Sequence, residues 1–597
     1  MPSTLSRNRS WVICFFICSL FLLMIYQLIQ LTIIRRPALL QLAEKQHRLS
    51  IDIPPFRGAI YDRQGKELAT NLKSPSVYAV PRMLAVSDRD ALSAKVSKML
   101  GLDIKFVKDR LSRDKSFVWL KRNTSYEDAE AIQALQSPAL GVVKEYRRFY
   151  PQGDLLSHVM GFTNIDNEGM EGIELSLNRE LQGRRGKRYT KRDALGREIR
   201  AFEIKQIPSV DGHKVTLTID QYMQYLTERA LDKAFTTWKA KGAVAVVLEA
   251  KTGRILALAN RPTFNPNFPG RANADTRRDR VVTDMYEPGS VFKIVAVSAA
   301  LNEGKVTPEQ TFFCENGAYR YSGSRVLHDV HPYGKLTVEE VVIKSSNIGT
   351  VKIASKLSPS VLQSYIDAYG FGKRTQVDLP GEAPGFTRPP SQWSNTSPYN
   401  VPIGHEVMVT ALQMASAFAV IANGGDLMQP YILEKVQDQA GVVLKEKKPT
   451  VRRNVIRPEV AATMRRILTR VVDEGTGKTA QIPGIPVAGK TGTAQKVLPG
   501  GRGYSHNSFM SSFIGFAPAD DPQFVMAVVL DDPKPLYYGG TVAAPVFKEV
   551  MENALYSMGY VPATAQKLEP STSRTEVKEI TQTQPIARPN PGAGTRL

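Results

Sequence analysis

Trp11 to Ile29 reads WVICFFICSLFLLMIYQLI, nineteen residues without a charge, and the apolar run reaches Ile34 if Gln30 and Thr32 are tolerated. About twenty such residues in a helix cross roughly 30 Å of hydrocarbon. The stretch therefore predicts a transmembrane anchor, and everything after it must fold beside a membrane. A cleavable leader has an apolar region of about 7 to 15 residues with a small-residue cleavage site close behind. Here Arg35-Arg36-Pro37 follows instead. Arg7 and Arg9 before the run balance Arg35 and Arg36 after it, so basic flanks do not set the orientation. The ten-residue head is too short to be a domain, and no second span returns the remainder. The expectation is a single pass with the head inside and the bulk extracytoplasmic.

A chain of 597 residues predicts two to four domains. Its formal charge of +21 attracts anionic partners. No RNA-binding aromatic motif, basic helix with heptads or zinc-finger spacing accompanies that charge, so no nucleic acid is expected. Two of the three cysteines, Cys14 and Cys18, lie in the apolar run and Cys314 stands alone, which excludes an intramolecular disulfide framework. His328 precedes and His331 lies in a loop-like DVHPYG stretch without a third ligand. Neither a metal nor a cofactor is expected.

Residues 38 to 56 are amphipathic and end at Pro54-Pro55, where a helix must stop. That segment reads as a stalk. Residues 57 to about 225 mix short strands and helices with turns at Asp62-Arg63-Gln64-Gly65 and Pro151-Gln152-Gly153-Asp154. From Gly242 two aliphatic runs flank Lys251-Thr252-Gly253, a hairpin signal. Helical patterns dominate 290 to 425, and strand patterns follow at Val487 to Val497, Ser511 to Phe516 and Phe524 to Leu530. Strands, helices, then strands of one antiparallel sheet predict an α+β fold. The expected division is a head (1–10), transmembrane helix (11–34), stalk (35–56), extended strand-containing pedestal (57–230), a second domain with an antiparallel sheet flanked by helices (231–560) and a tail (561–597). The tail is rich in Pro, Thr, Gln and Ser and is expected to be disordered.

Glu287-Pro288-Gly289-Ser290-Val291-Phe292-Lys293 opens an apolar helix that ends at Gly304. Ser290 thus sits at a helix N-terminus, where free N–H groups favour developing negative charge. Lys293, one turn on, can take its proton if burial or a neighbouring cation lowers the amine's pKa. A Ser-x-x-Lys quartet alone proves little, and Ser112 to Lys115 is another, in a charged stretch. Two further motifs follow in order, Ser345-Ser346-Asn347 and Lys490-Thr491-Gly492-Thr493, with roughly 50 and 140 residues between them. The ordered trio is the signature of class A β-lactamases and penicillin-binding proteins. Decoys exist: Ser176 to Asn178 and Ser505 to Asn507 fit Ser-x-Asn, and Lys251-Thr252-Gly253 fits the third motif. Only the string at 490 follows the asparagine and enters a strand able to lie along a bound peptide. Its glycine is expected to let a substrate backbone approach without a Cβ in the way.

In these motifs and beyond them, the chain resembles a class B penicillin-binding protein over nearly all of residues 11 to 558. The likeness includes RGAIYDRQGKELA (57–69), RRFYPQGDLLSHVMGF (147–162), GMEGIELSLNREL (169–181), LEAKTGRILALANRPTFNPN (248–267) and YYGGTVAAPVF (537–547). It is most similar to the FtsI-type division transpeptidases. The resemblance implies a peptidoglycan D,D-transpeptidase of the cytoplasmic membrane that serves septal wall synthesis. Ser290 would attack the penultimate D-Ala carbonyl of a stem peptide ending in D-Ala-D-Ala, and an amine of a second stem would resolve the acyl-enzyme. It also implies Lys293 as base, Ser345 and Asn347 as proton relay and amide contact, and Lys490 as catalytic cation. Ser346, Thr491, Gly492 and Thr493 would bind substrate, and the backbone N–H groups of Ser290 and Thr493 would form an oxyanion hole. Acylation by β-lactam antibiotics and a glycosyltransferase partner in the division machinery follow from the same likeness.

The rivals are an elongation-type transpeptidase, a D-Ala-D-Ala carboxypeptidase, a β-lactamase, and a membrane penicillin sensor that acylates without turnover. A class A β-lactamase uses an E-x-x-L-N glutamate after the second motif, whereas Glu174 to Asn178 precedes Ser290. A sensor needs a cytoplasmic signalling segment, and the expected head is ten residues. Glu127-Asp128 lacks the Phe and His of a glycosyltransferase signature, and Gly477-Lys478-Thr479 lacks the first glycine of a Walker A loop.

Overall fold

The computed structural model describes residues 4–192, 198–199, 205–322, 325–498, 500 and 503–560. The tail expected to be disordered lies outside the described residues. Helix α1 (Thr4–Ile29) continues through a π-helical turn at Gln30–Ile34. From Arg9 to Ile34 this helix is long and apolar enough to cross a membrane. Helix α2 (Arg36–His47) follows, and here the stalk departs from expectation. The helix ends at His47, and Arg48–Ile53 forms strand β1, paired antiparallel with β2 (Gly186–Arg192). The text RLSIDI alternates apolar and polar residues, a period of two that fits a strand better than a helix.

In the pedestal, a long strand at Glu67–Ala79 pairs with Leu140–Phe149 from Thr70 onward and with Val118–Lys121 near its end. That sheet does not stop at the pedestal. Ile60–Tyr61, Lys214–Leu217 and the two strands Leu433–Gln437 and Val443–Glu446 extend it to seven strands. Against its pedestal end lies a buried ionic group: Glu174 accepts from Arg57 Nε and Arg148 Nε at 2.6 Å each, with all three side chains essentially inaccessible. Burial alone would raise the pKa of Glu174, but the two guanidiniums hold it below its usual value.

The second half begins with α3 (Gln221–Thr237), capped by Asp220, and the hairpin of β3 (Gly242–Glu249) and β4 (Ile255–Arg261). Helices α4 (Lys293–Asn302), α5 (Asn347–Ala354), α6 (Ala411–Ala422) and α7 (Pro458–Asp473) come next. Strands β5 (Ala488–Val497), β6 (Tyr504–Ala517) and β7 (Phe524–Asp531) complete the sheet, and α8 (Ala544–Ser557) closes the described chain. The order β4-β3-β7-β6-β5 is antiparallel throughout. Val244, Val246 and Leu248 face the core shared with α4, α6 and α7, while Ala243, Ala245 and Val247 face α3 and α8. Because both faces are covered, β3 and β7 are apolar without a break. Strand β5 stands at the sheet edge, with one row of backbone groups left for a further strand.

Candidate active site

Gly289–Phe292 forms a 3₁₀ turn, and Lys293 opens α4. Gly289 has φ +60°, and a Cβ there would lie 3.2 Å from Ala494 Cβ on β5. Behind it, Gly404 O accepts from Gly289 N at 3.1 Å, and a Cβ on Gly404 would meet Gly289 O at 2.2 Å. These contacts clamp the turn between β5 and the 404 loop. Val291 and Phe292 are buried while Ser290 is half-buried.

Lys293 is fully buried. Its Nζ donates to Ser345 O at 2.6 Å and Asn347 Oδ1 at 2.7 Å, and lies 3.3 Å from Ser345 Oγ. From the opposite side, buried Lys490 reaches Ser345 Oγ at 3.0 Å and Thr491 O at 3.2 Å. Ser345 adopts φ +60°, a backbone state uncommon for a residue with a Cβ and frequent at functional sites. Burial, and then the neighbouring Lys490, drive the Lys293 amine well below its usual pKa, against a smaller opposing pull from Asp329. Burial alone brings Lys490 to about 7. An unprotonated lysine can accept a hydroxyl proton, so the two buried lysines can supply a base and a titratable cation side by side.

Asp329, which no sequence motif marks, organises the middle of the site. Its Oδ1 accepts from Asn347 N at 2.5 Å and Ile348 N at 3.1 Å, and its Oδ2 from Ser346 Oγ at 2.6 Å. An anion is thus fixed at the α5 N-terminus. Asn347 Nδ2 donates to His328 O at 2.9 Å, so this asparagine is aligned by the end of the strand Arg325–His328, and the DVHPYG stretch that follows, residues 329–334, is a loop as expected. Ser346, expected to touch substrate, is buried, caps Gly349 N at 2.9 Å and turns away to Asp329. Spacing alone could not reveal this, since the neighbours of Ser346 in the motif do line the lysine cluster.

On β5, Thr491 Oγ1 lies 2.7 Å from Thr476 Oγ1, and Thr493 Oγ1 accepts from Gly539 N at 3.1 Å. Gly492 is required for another reason than expected. A Cβ there would point inward, 2.4 Å from Ser512 Oγ and 3.0 Å from Pro288 O, so the glycine lets β5 close on the Ser290 turn. Before that turn, Glu287 receives His405 Nδ1 at 2.8 Å, Glu406 N at 3.0 Å and Tyr504 Oη at 3.3 Å.

The decoys fall elsewhere. Ser112 ends its helix and Arg113 is extended, so Lys115 is not one turn away. Lys251 lies exposed in the β3–β4 turn against Asp521. Asn178 accepts from Arg57 in the pedestal, and Ser505 accepts from Asn507 N near the start of β6.

A serine at a tight helix entrance, a buried neutralisable lysine one turn on and a second lysine on an edge strand define an active-site-serine acyltransferase. Residues 243–552 match the penicillin binding protein transpeptidase domain, and residues 52–217 match the penicillin-binding protein dimerisation domain. The chain is similar to stage V sporulation protein D of Bacillus subtilis, 35% identical over 94% of this chain and 87% of that protein. It is also similar to the peptidoglycan D,D-transpeptidase FtsI of Escherichia coli, 33% identical over 85% of this chain and 84% of that one. The crystal structure of penicillin-binding protein 3 from Mycobacterium tuberculosis with aztreonam superposes with a TM-score of 0.67 at 29% identity, covering 86% of this chain and 98% of that one. The protein belongs to the penicillin-binding protein transpeptidase family.

Proposed function

We propose that this protein is an FtsI-type peptidoglycan D,D-transpeptidase in which Ser290 carries the acyl group. The observation that supports this most is the single hydrogen-bonded cluster of Lys293, Ser345, Asn347 and Lys490 beside the Ser290 turn. Lys293 takes the Ser290 proton as the Oγ–carbon bond forms. The D-Ala amide C–N bond breaks, and the leaving amine gains a proton through Ser345. An acceptor amine then attacks the ester, forms the cross-link and returns the proton to Ser290. Lys490, Thr491 and Thr493 receive the substrate carboxylate. The N–H groups of Ser290 and Thr493 hold the oxyanion, a contribution often worth about 3 kcal/mol per donor. The edge of β5 pairs with the stem-peptide backbone as an added strand. β-Lactams acylate the same serine.

The division near residue 230, the extracytoplasmic placement of the catalytic half, and a membrane glycosyltransferase of the division machinery as partner belong to this reading. Incubation of the full chain with uncross-linked glycan strands separates it from a carboxypeptidase. Cross-linked dimers are expected in excess over trimmed monomers, and release of D-Ala with no cross-link would assign hydrolysis instead.

A further inference from the structure

The positive charge is concentrated. Residues 184–192 read RRGKRYTKR, six Lys or Arg in nine positions with no acid. Gly186 to Arg192 of this run form β2, whose register with β1 sets Lys191 opposite Arg48 and Lys187 opposite Asp52. β1 leaves α2, which follows the spanning helix after Arg35. β1 therefore runs away from the anchor and β2 runs back toward it, so Lys191 and Arg192 come to the anchor end of the sheet. Arg184, Arg185 and Lys187 are exposed, and Arg185 meets Asp52 only at 4.0 Å with both side chains more than half accessible. On α2, next to Arg36, Leu39 and Leu40 are 43% and 53% exposed.

We propose that the β1–β2 sheet is a second membrane contact, docking on anionic phospholipid headgroups while α2 lies along the surface and buries Leu39 and Leu40 in the interface. An upright α2 of twelve residues would lift β1 by about 18 Å, past the roughly 8 Å over which charges act in physiological salt. A flat α2 with the β1–β2 sheet laid along the surface beside it brings the basic run within that range, from Lys191 and Arg192 at the anchor end to Lys187, Arg185 and Arg184 at the far end, where polybasic segments gain attraction with each Lys or Arg. An acidic glycan polymer offers similar charge but no apolar layer for the two leucines, which favours lipid. The consequence is a pedestal held at a defined height, and hence a defined reach of the Ser290 site from the bilayer. The inference rests on the membrane-spanning reading of α1 and is independent of the chemistry at Ser290.

The test is amine footprinting of the full chain in nanodiscs of neutral lipid and of neutral lipid with about one third phosphatidylglycerol, reading Lys187 against exposed Lys251. Lys187 should react at least about threefold more slowly in the anionic discs, recover in about 0.5 M NaCl, and leave Lys251 unchanged. Combining Arg184→Glu with Arg185→Glu should remove most of that protection while penicillin labelling persists. Equal reactivity of Lys187 in both lipids overturns the proposal. So does protection in neutral discs on adding a soluble anionic glycan, which would assign the patch to a polymer. A chain that enters neither disc removes the anchor and this docking with it, whereas labelling of Ser290 in detergent would be untouched by that result.

Discussion

At the residue scale the proposed chemistry gives two buried lysines different duties. Lys293 must be neutral to accept a proton, and its pKa is lowered, so its active fraction grows as pH rises. Lys490 must be charged to meet a carboxylate, and with a pKa of about 7 it loses that charge above neutrality. Acylation by a penicillin should therefore follow a bell whose alkaline limb lies near pH 7, measured as the second-order rate on free enzyme. Lys490→Arg, charged throughout, should lack that limb while retaining a measurable rate. An unchanged limb in the folded variant would remove Lys490 from its role. Lys293→Arg cannot act as a base and should lose on the order of 10² or more in rate. Lys251→Ala, which removes only an exposed ion pair, should change stability by at most about 0.5 kcal/mol and leave acylation intact. The motif lysines and Ser290 were legible because ordered short motifs carry their own chemistry. Asp329 was not, since its partners lie seventeen to nineteen positions later and no local pattern joins them.

At the element scale, a carboxylate ties α5 to the end of the strand Arg325–His328, and missing side chains let β5 close on the Ser290 turn. Asp329→Ala leaves two N-terminal N–H groups of α5 and the Ser346 hydroxyl without their acceptor. It should cost about 1 to 2 kcal/mol and slow acylation, with Asp329→Asn milder because Oδ1 can still accept. Thermal melting beside penicillin labelling checks this, and an alanine variant with parent rate and melting point would contradict it. The strand and helix periods of the central sheet could be read directly, whereas β1 was obscured by an amphipathic stretch that satisfies a helix until its last six residues. The reason for Gly492 was also hidden, because the sequence does not say which way a missing Cβ would have pointed.

At the scale of the whole molecule, pedestal and catalytic half share one seven-stranded sheet, and the buried Arg57–Glu174–Arg148 group lies at the pedestal end of it. Glu174→Gln would leave two buried guanidiniums with no anion between them, and a loss of about 3 to 5 kcal/mol is expected, read as a lower melting temperature with Ser290 labelling of the folded fraction retained. Unchanged melting would show that the cluster is solvated in solution. The long apolar helix at the N-terminus was legible from length and apolarity alone, but the shared sheet was not, since it joins strands more than 200 residues apart. Labelling the full chain in membranes with a fluorescent penicillin, digesting it and mapping the adduct by mass spectrometry identifies the acylated residue. One adduct is expected, on Ser290, absent from Ser290→Ala. An adduct on Ser112, Ser345 or another residue, or undiminished labelling of Ser290→Ala, would contradict that assignment.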